Sequence, residues 1–198
     1  TGVLSPRSAL IFAISIEILA FIWLWAFVNL LSAFLAVAAC LFYVFVYSLW
    51  LKRSSTSNIV IGGAAGAVPV LIGWSSVTNS LDWPPVILFL LIFLWTPPHF
   101  WALAIRYRED YSNANVPMLP VIEGTKVTGY RMVLYAFQVW AISLIFVPVA
   151  DMGLIYLISA ILLGAIVTCF SFQVMIRPTQ KSAMRLFGFP LCYRKILF

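Results

Sequence analysis

The densest group of reactive side chains in the sequence is the run Arg106-Tyr107-Arg108-Glu109-Asp110-Tyr111-Ser112-Asn113-Ala114-Asn115-Val116-Pro117-Met118-Leu119-Pro120. Its first six residues supply two guanidinium groups, two carboxylates and two phenols. Carboxylate oxygens are hard ligands suited to Mg²⁺, and guanidinium forks match phosphate oxygens, so the run reads as half of a metal-diphosphate site. It is only half, because Mg²⁺ holding a diphosphate usually draws on more than one carboxylate position. The plainer reading is an ordinary charged loop.

A second candidate is Lys52-Arg53-Ser54-Ser55-Thr56-Ser57-Asn58, where two adjacent cations precede five hydroxyl or amide side chains at a helix start. Unpaired backbone N–H groups at such a start add to the cations, and the whole suits a phosphate; the alternative is that Lys52 and Arg53 anchor a helix among lipid headgroups. His99, the one histidine, stands in Leu94-Trp95-Thr96-Pro97-Pro98-His99-Phe100-Trp101. Pro97 and Pro98 lack N–H groups, so the carbonyls of Phe93 and Leu94 lose their helical partners; a kink and a polar cavity are expected at this level. Six residues before Ile105, His99 lies roughly 9 Å inside the apolar run. An ionisable residue at that depth is a functional candidate: an iron ligand, a proton carrier or a packed neutral ring. Glu17 is similarly deep in the first run and is expected to face the bundle interior. Gly62 and Gly66 share a helix face and predict close helix packing.

The elements that carry these residues follow from composition. Of 198 residues, 64% are hydrophobic and 9% charged. A soluble domain carries roughly 25% charged residues, so the chain is read as all-α and polytopic in the membrane, a single membrane domain over 1–198 with the lipid bilayer as its solvent. Six apolar windows are long enough to span: Ser8 to Val28, Leu30 to Leu51, Asn58 to Val77, Pro84 to Ile105, Met132 to Ala150 and Gly153 to Ile176. A shorter seventh, Leu186 to Phe198, carries Arg194 and Lys195. The connections alternate in charge. Arg7, Lys52, Arg53, Arg106, Arg108, Lys126, Arg131, Arg177, Lys181 and Arg185 fall on one side, while Asp82 and Asp151 are the charges on the other. The net charge of +6 is therefore topology information rather than a sign of nucleic acid, and it puts the basic loops in the cytoplasm. The functional loops are 52–58 and 106–129, the second being the longest and most polar connection. Cys40, Cys169 and Cys192 lie in apolar runs without metal-ligand spacing and read as small hydrophobes.

Four runs resemble the protohaem IX farnesyltransferases (haem O synthases), a branch of the UbiA-type intramembrane prenyltransferases: Tyr47 to Asn58, Ile59 to Trp74, Phe93 to Ile105 and Arg108 to Val121. The forms WTPPHFWAL and VPMLP are similar to bacterial members, which implies a bacterial cell membrane. The resemblance implies a bundle of about nine spans, of which six to seven are present here, around a lipid-accessible cavity. Two polar motifs at its cytoplasmic end would hold Mg²⁺ and the diphosphate of a farnesyl donor, haem B being the acceptor and a substrate rather than a cofactor. The second motif falls at Arg106 to Val116; Tyr107 and Tyr111 flank Asp110, so Asp110 is the metal candidate and Glu109 a weaker one. The first is expected upstream of Thr1, and the chain by itself is expected to be inactive. The same resemblance gives Lys52, Arg53 and Asn58 to the diphosphate, Arg106 or Arg108 to a diphosphate oxygen or a haem propionate, and His99 to the haem. Trp95, Trp101 and Tyr107 would shield an allylic cation. Downstream partners would be a haem A synthase or terminal oxidase assembly. The competing readings are a prenyltransferase with a quinone-precursor or chlorin acceptor, and a membrane transporter or scaffold.

Overall fold

The structure, a computed structural model, describes the backbone of residues 5–197 and the side chains of 5–188. Among these the chain is helical, with α1 (Pro6–Phe27), α2 (Leu30–Leu41), a π-helical stretch (Phe42–Leu51), α3 (Lys52–Ser54), α4 (Asn58–Thr78), α5 (Trp83–Arg106), α6 (Arg108–Asn113), α7 (Leu119–Ile122), α8 (Gly124–Val149), α9 (Leu154–Ile176) and α10 (Gln180–Leu197). Six helical segments are long and apolar enough to cross a membrane, α2 through α3 forming one continuous span over Leu30–Ser54. This is a multi-pass membrane protein.

Local sequence explains where the spans turn. Ser5 accepts a hydrogen bond from the Ser8 N–H ahead of Pro6, whose missing N–H costs nothing at a first helical position. Asn29 caps α2 by accepting from the Ser32 N–H at 2.8 Å, and its amide donates to the Ser75 carbonyl of α4 at 2.6 Å. The Ser32 and Ser75 hydroxyls meet at 2.7 Å, both fully buried. Interhelical polar bonds of this kind hold helices together where lipid gives no hydrophobic drive.

Two packing regimes result. Helices α1, α2, α4 and α5 make an open row in chain order, and no residue of α1 is buried. By contrast α5, α8, α9 and α10 close a ring, each touching the next and α10 returning to α5. The core of the ring is Trp101, Ala102, Ile105, Leu119, Met132, Val174, Ala183 and Leu186. At Gly129 a Cβ would lie 2.7 Å from the Met175 Cα, so only glycine allows α8 and α9 to approach as they do.

Several expectations are corrected. Helix α8 begins at Gly124, so the connection ends at 123 rather than 129; Thr125, Lys126 and Thr128 read as loop because they are polar, but the helix continues beyond the apolar run. Its start is fixed by Gly124 (φ 82°), the Thr128 hydroxyl donating to the Gly124 carbonyl, and the Arg131–Glu123 ion pair at 2.8 Å. Helix α5 runs on through Pro97 and Pro98, while the Thr96 hydroxyl donates to the Ile92 carbonyl at 2.8 Å. Gly62 lies against the Tyr47 ring and Gly63 against Thr96, both too close to admit a Cβ, whereas Gly66 meets nothing within 4 Å, so the expected close packing holds at Gly62 and fails at Gly66. Glu17 does face the bundle as expected: with Phe21 it is half-buried on the α2 side of a largely exposed helix, where the Cys40 thiol hydrogen-bonds its carboxylate. The backbone of α10 starts at Gln180, earlier than the expected seventh run; the side chains of Cys192, Arg194 and Lys195 lie outside the described residues.

Candidate functional site

The 107–123 connection is a folded wall. Tyr107 ends α5, and Arg108–Asn113 makes a short helix with Glu109 and Asp110 in its first turn, where carboxylates oppose the positive end of the helix dipole. Asn115 (φ 51°) reverses the chain, a conformation asparagine tolerates, and the Val116 N–H returns to the Tyr111 carbonyl at 3.0 Å. The VPMLP run then pins the loop: Met118 packs with Ile59 and Ala104, and Leu119 enters the ring core fully buried. Apolar anchors thus fix a segment whose polar side chains face a cavity.

That cavity measures about 590 Å³ and brings together Arg106, Tyr107, Arg108, Glu109 and Asp110, all five of the residues expected there. Ser112, Thr125 and Gln180 complete its polar lining, and none of these three was singled out from sequence. Thr125 and Gln180 come from α8 and α10, so no local motif could have announced them. Arg106 is held from two sides: its Nη1 donates to the Met184 Sδ at 3.4 Å, and its guanidinium carbon lies 5.4 Å from the Tyr107 ring centroid. Neither Arg106 nor Arg108 forms an ion pair with Glu109 or Asp110 among the described residues. Both cations and both carboxylates therefore keep their charge available to a ligand.

Lys52, Arg53 and Asn58 are not in this cavity. Lys52 and Arg53 stand exposed at the end of the π-helical stretch, and Asn58 behind them is 1% exposed. Its Nδ2 donates to the Lys52 carbonyl at 3.5 Å, while Oδ1 is buried without a partner among the described residues. A π-helical run is rare and frequent at functional sites; here it carries Tyr43 and Tyr47 with ring centroids 5.2 Å apart. Tyr111 packs against the cluster of Ile59, Ala104 and Met118, Ile59 being the residue after Asn58.

His99 sits one level deeper. Its ring is sandwiched between Trp95 (centroids 4.2 Å, 24° between planes) and Phe187 of α10 (4.4 Å, 20°), with Nδ1 buried and unpartnered. Phe187 carried no signal in the sequence. Trp101 corrects the expectation of a common aromatic shield with Trp95 and Tyr107: it is 1% exposed in the ring core, edge-on to Tyr135 at 5.5 Å, on another face of α5. The cavity at the Trp95 level is also not the polar one expected. It is a predominantly apolar crevice of about 970 Å³ between α5, α8 and α9, bordered by Trp95, Trp140, Tyr156 and Gly164.

A model of the UbiA prenyltransferase family matches residues 1–194. A protoheme IX farnesyltransferase of Clavibacter michiganensis subsp. michiganensis is 47% identical over 201 residues, covering 100% of this chain and 66% of the relative. Those of a Parafrankia species (49%, covering 99% of this chain and 64% of the relative) and a Picosynechococcus species (48%, 100% and 63%) are similar. The chain thus spans just under two thirds of the length of the curated relatives it matches. No solved structure matches it significantly.

Proposed function

We propose that this chain, which belongs to the UbiA prenyltransferase family, forms the acceptor-side and second-motif portion of an enzyme that transfers a farnesyl group from farnesyl diphosphate to a vinyl group of haem B, giving haem O. The observation that carries this reading is the cavity in which two guanidinium groups and two carboxylates stand unpaired at the end of the helix that bears His99. Likeness to relatives named for this reaction selects the donor and acceptor.

The donor set fits Mg²⁺ in part. Among the described residues no cluster of three acidic, histidine or cysteine side chains occurs, but Mg²⁺ bound with a diphosphate keeps waters and uses one or two protein carboxylates. Asp110, with Glu109 beside it, would hold the ion, which when bound neutralises charge developing on the departing pyrophosphate. Arg108, Lys52 and Arg53 bind and orient diphosphate oxygens. As the C1–O bond of the donor breaks, pyrophosphate takes the electron pair. The terminal vinyl carbon of the acceptor bonds to C1, and water captures the resulting benzylic-type cation and loses a proton, leaving the hydroxyl. Ile105 and Val121, the apolar lining of the cavity, and the aromatic layer around His99 exclude water from the allylic carbon until that bond has formed. The basic ends lie in the cytoplasm of a bacterial cell membrane, and the product passes to a haem A synthase or an oxidase assembly step.

The test is mass spectrometry of haem extracted after incubation with haem B, farnesyl diphosphate and Mg²⁺. It is run on the chain itself and on the chain preceded by the N-terminal third of the Clavibacter relative. Haem O from the extended chain alone is expected; haem O from neither overturns the reading.

A further inference from the structure

Where the basic end of α8 meets α9, a groove of about 540 Å³ opens away from the ring core. Lys126, Val127 and Tyr130 of α8 line one side of it, and Met175 and Ile176 of α9 the other. It begins where Gly129 brings α8 against the Met175 backbone. Met132 and Val174 turn inward to the core, whereas Val127, Tyr130 and Ile176 are exposed.

The groove changes character with depth. Lys126 stands at its mouth, in the first turn of α8. Tyr130 lies one turn deeper on the same face, and a phenol suits the boundary between headgroups and hydrocarbon. Phe137 follows Tyr130 by seven residues and Phe172 precedes Ile176 by four, so each continues the lining face of its helix. Both are exposed, and their rings meet edge to face at 6.1 Å. The lining therefore reaches about 16 Å from Lys126 along α8.

Among the described residues nothing uses the Lys126 charge. It makes no ion pair, and Glu123, the carboxylate nearest in sequence, is engaged by Arg131 at 2.8 Å. Its position in the helix does not account for it either, because a cation in the first turn is disfavoured by the helix dipole. An unpaired ammonium above a phenol and an apolar, aromatic slot complements a molecule with a negative head and an acyl tail. We propose that this groove holds one anionic phospholipid, with its phosphodiester on Lys126, its glycerol region against Tyr130 and an acyl chain along Phe137 and Phe172. Basic pockets between membrane helices bind headgroups of this kind. The lipid bridges the start of α8 to the end of α9. Thr125, one residue earlier, lines the polar cavity instead, so the two sites lie on different faces of α8 and the lipid site is independent of the transferase reading.

The test is native mass spectrometry of the full chain released from detergent after incubation with equal amounts of phosphatidylglycerol and phosphatidylcholine, with melting curves run on every variant. One phosphatidylglycerol is expected to stay bound while phosphatidylcholine is lost, and excess inorganic phosphate is expected not to displace it. Lys126→Gln is expected to weaken retention about fivefold, the share of one cation at a lipid surface, and Lys126→Arg to preserve it. Lys181→Gln removes an exposed cation of α10 outside the groove and should leave retention unchanged. Val127→Trp fills the groove with the charge intact and should abolish retention. If Lys126→Gln melts low without added lipid, Lys126→Arg and Val127→Trp decide, since both keep a cation at the mouth. Equal losses from Lys126→Gln and Lys181→Gln, displacement by phosphate, equal retention of the two lipids, or retention that survives Val127→Trp would each overturn the site.

Discussion

The two basic motifs look equivalent in sequence, each joining cations to polar side chains at the end of a span, yet these neighbouring segments are built into different surroundings. Lys52 and Arg53 stand exposed at the foot of the open row α1–α2–α4. Arg106 to Asp110 line a cavity at the foot of the closed ring α5–α8–α9–α10. The difference lies in what surrounds the charges. Around 106–113 the VPMLP anchors and the starts of α8 and α10 build walls, so the charges are aimed. Around 52–53 the backbone is held by the π-helical turn, the Ser54 hydroxyl on the Trp50 carbonyl and the buried amide of Asn58, but no wall encloses the exposed side chains, which can follow a ligand. A walled site and a mobile pair of cations are complementary tools for a substrate that must be positioned and then released as pyrophosphate.

The sharpest way to break that contrast is Asp110→Ala in the extended chain. Loss of the metal-holding carboxylate is expected to reduce farnesyl transfer by about 10²–10³-fold, the scale seen when a group aimed at developing charge is removed. Melting should be unaffected, because Asp110 is exposed and makes no ion pair among the described residues. Equal loss of folding would mean that the carboxylate is structural. Next comes a stability contrast between ring and row. Gly129→Ala drives a methyl into the Met175 backbone and should destabilise the chain by about 1–3 kcal/mol, as overpacking does. Gly66→Ala meets open space and should be neutral within error. Denaturation in mixed detergent reads both, and similar values would show that the row is packed as tightly as the ring.

The spans and the five residues of the polar cavity were legible because lipid imposes length and composition on a helix, and because Arg106 to Asp110 are contiguous. What was not legible came from other elements. Phe187 reaches His99 from 88 residues away, and Thr125 and Gln180 enter the cavity from the starts of α8 and α10. The start of α8 was misread because Thr125, Lys126 and Thr128 satisfy a loop pattern as well as a helix emerging from the membrane. Trp101 was grouped with Trp95 by proximity in sequence, although six residues along a helix turn a side chain to another face. Gly62 packs closely as its spacing with Gly66 predicts, but Gly66 does not: spacing identifies a face and not how far along it a neighbour lies.

A smaller effect is expected from the mobile motif. Lys52→Ala should raise the KM for farnesyl diphosphate about tenfold with little change in kcat, because an exposed cation that follows the ligand contributes to binding in ground and transition states alike. A fall in kcat as large as that of Asp110→Ala would show that Lys52 is as firmly aimed as the walled site.

The smallest effect tests the open row itself. Helix α1 has no buried residue, and its polar tie to α2 is the half-buried Glu17 accepting from the Cys40 thiol. Interhelical hydrogen bonds inside membrane bundles average about 0.6 kcal/mol, because a separated helix finds other partners for the same group. Glu17→Ala should therefore cost on that order, seen as a slight rise in hydrogen exchange along α1, while Glu17→Gln keeps an acceptor and most of the bond. If Glu17→Ala released α1 altogether, the row would depend on one polar contact; its tolerance would place the cohesion of that side in the Asn29, Ser32 and Ser75 staple between α2 and α4, leaving α1 held by apolar contact along α2.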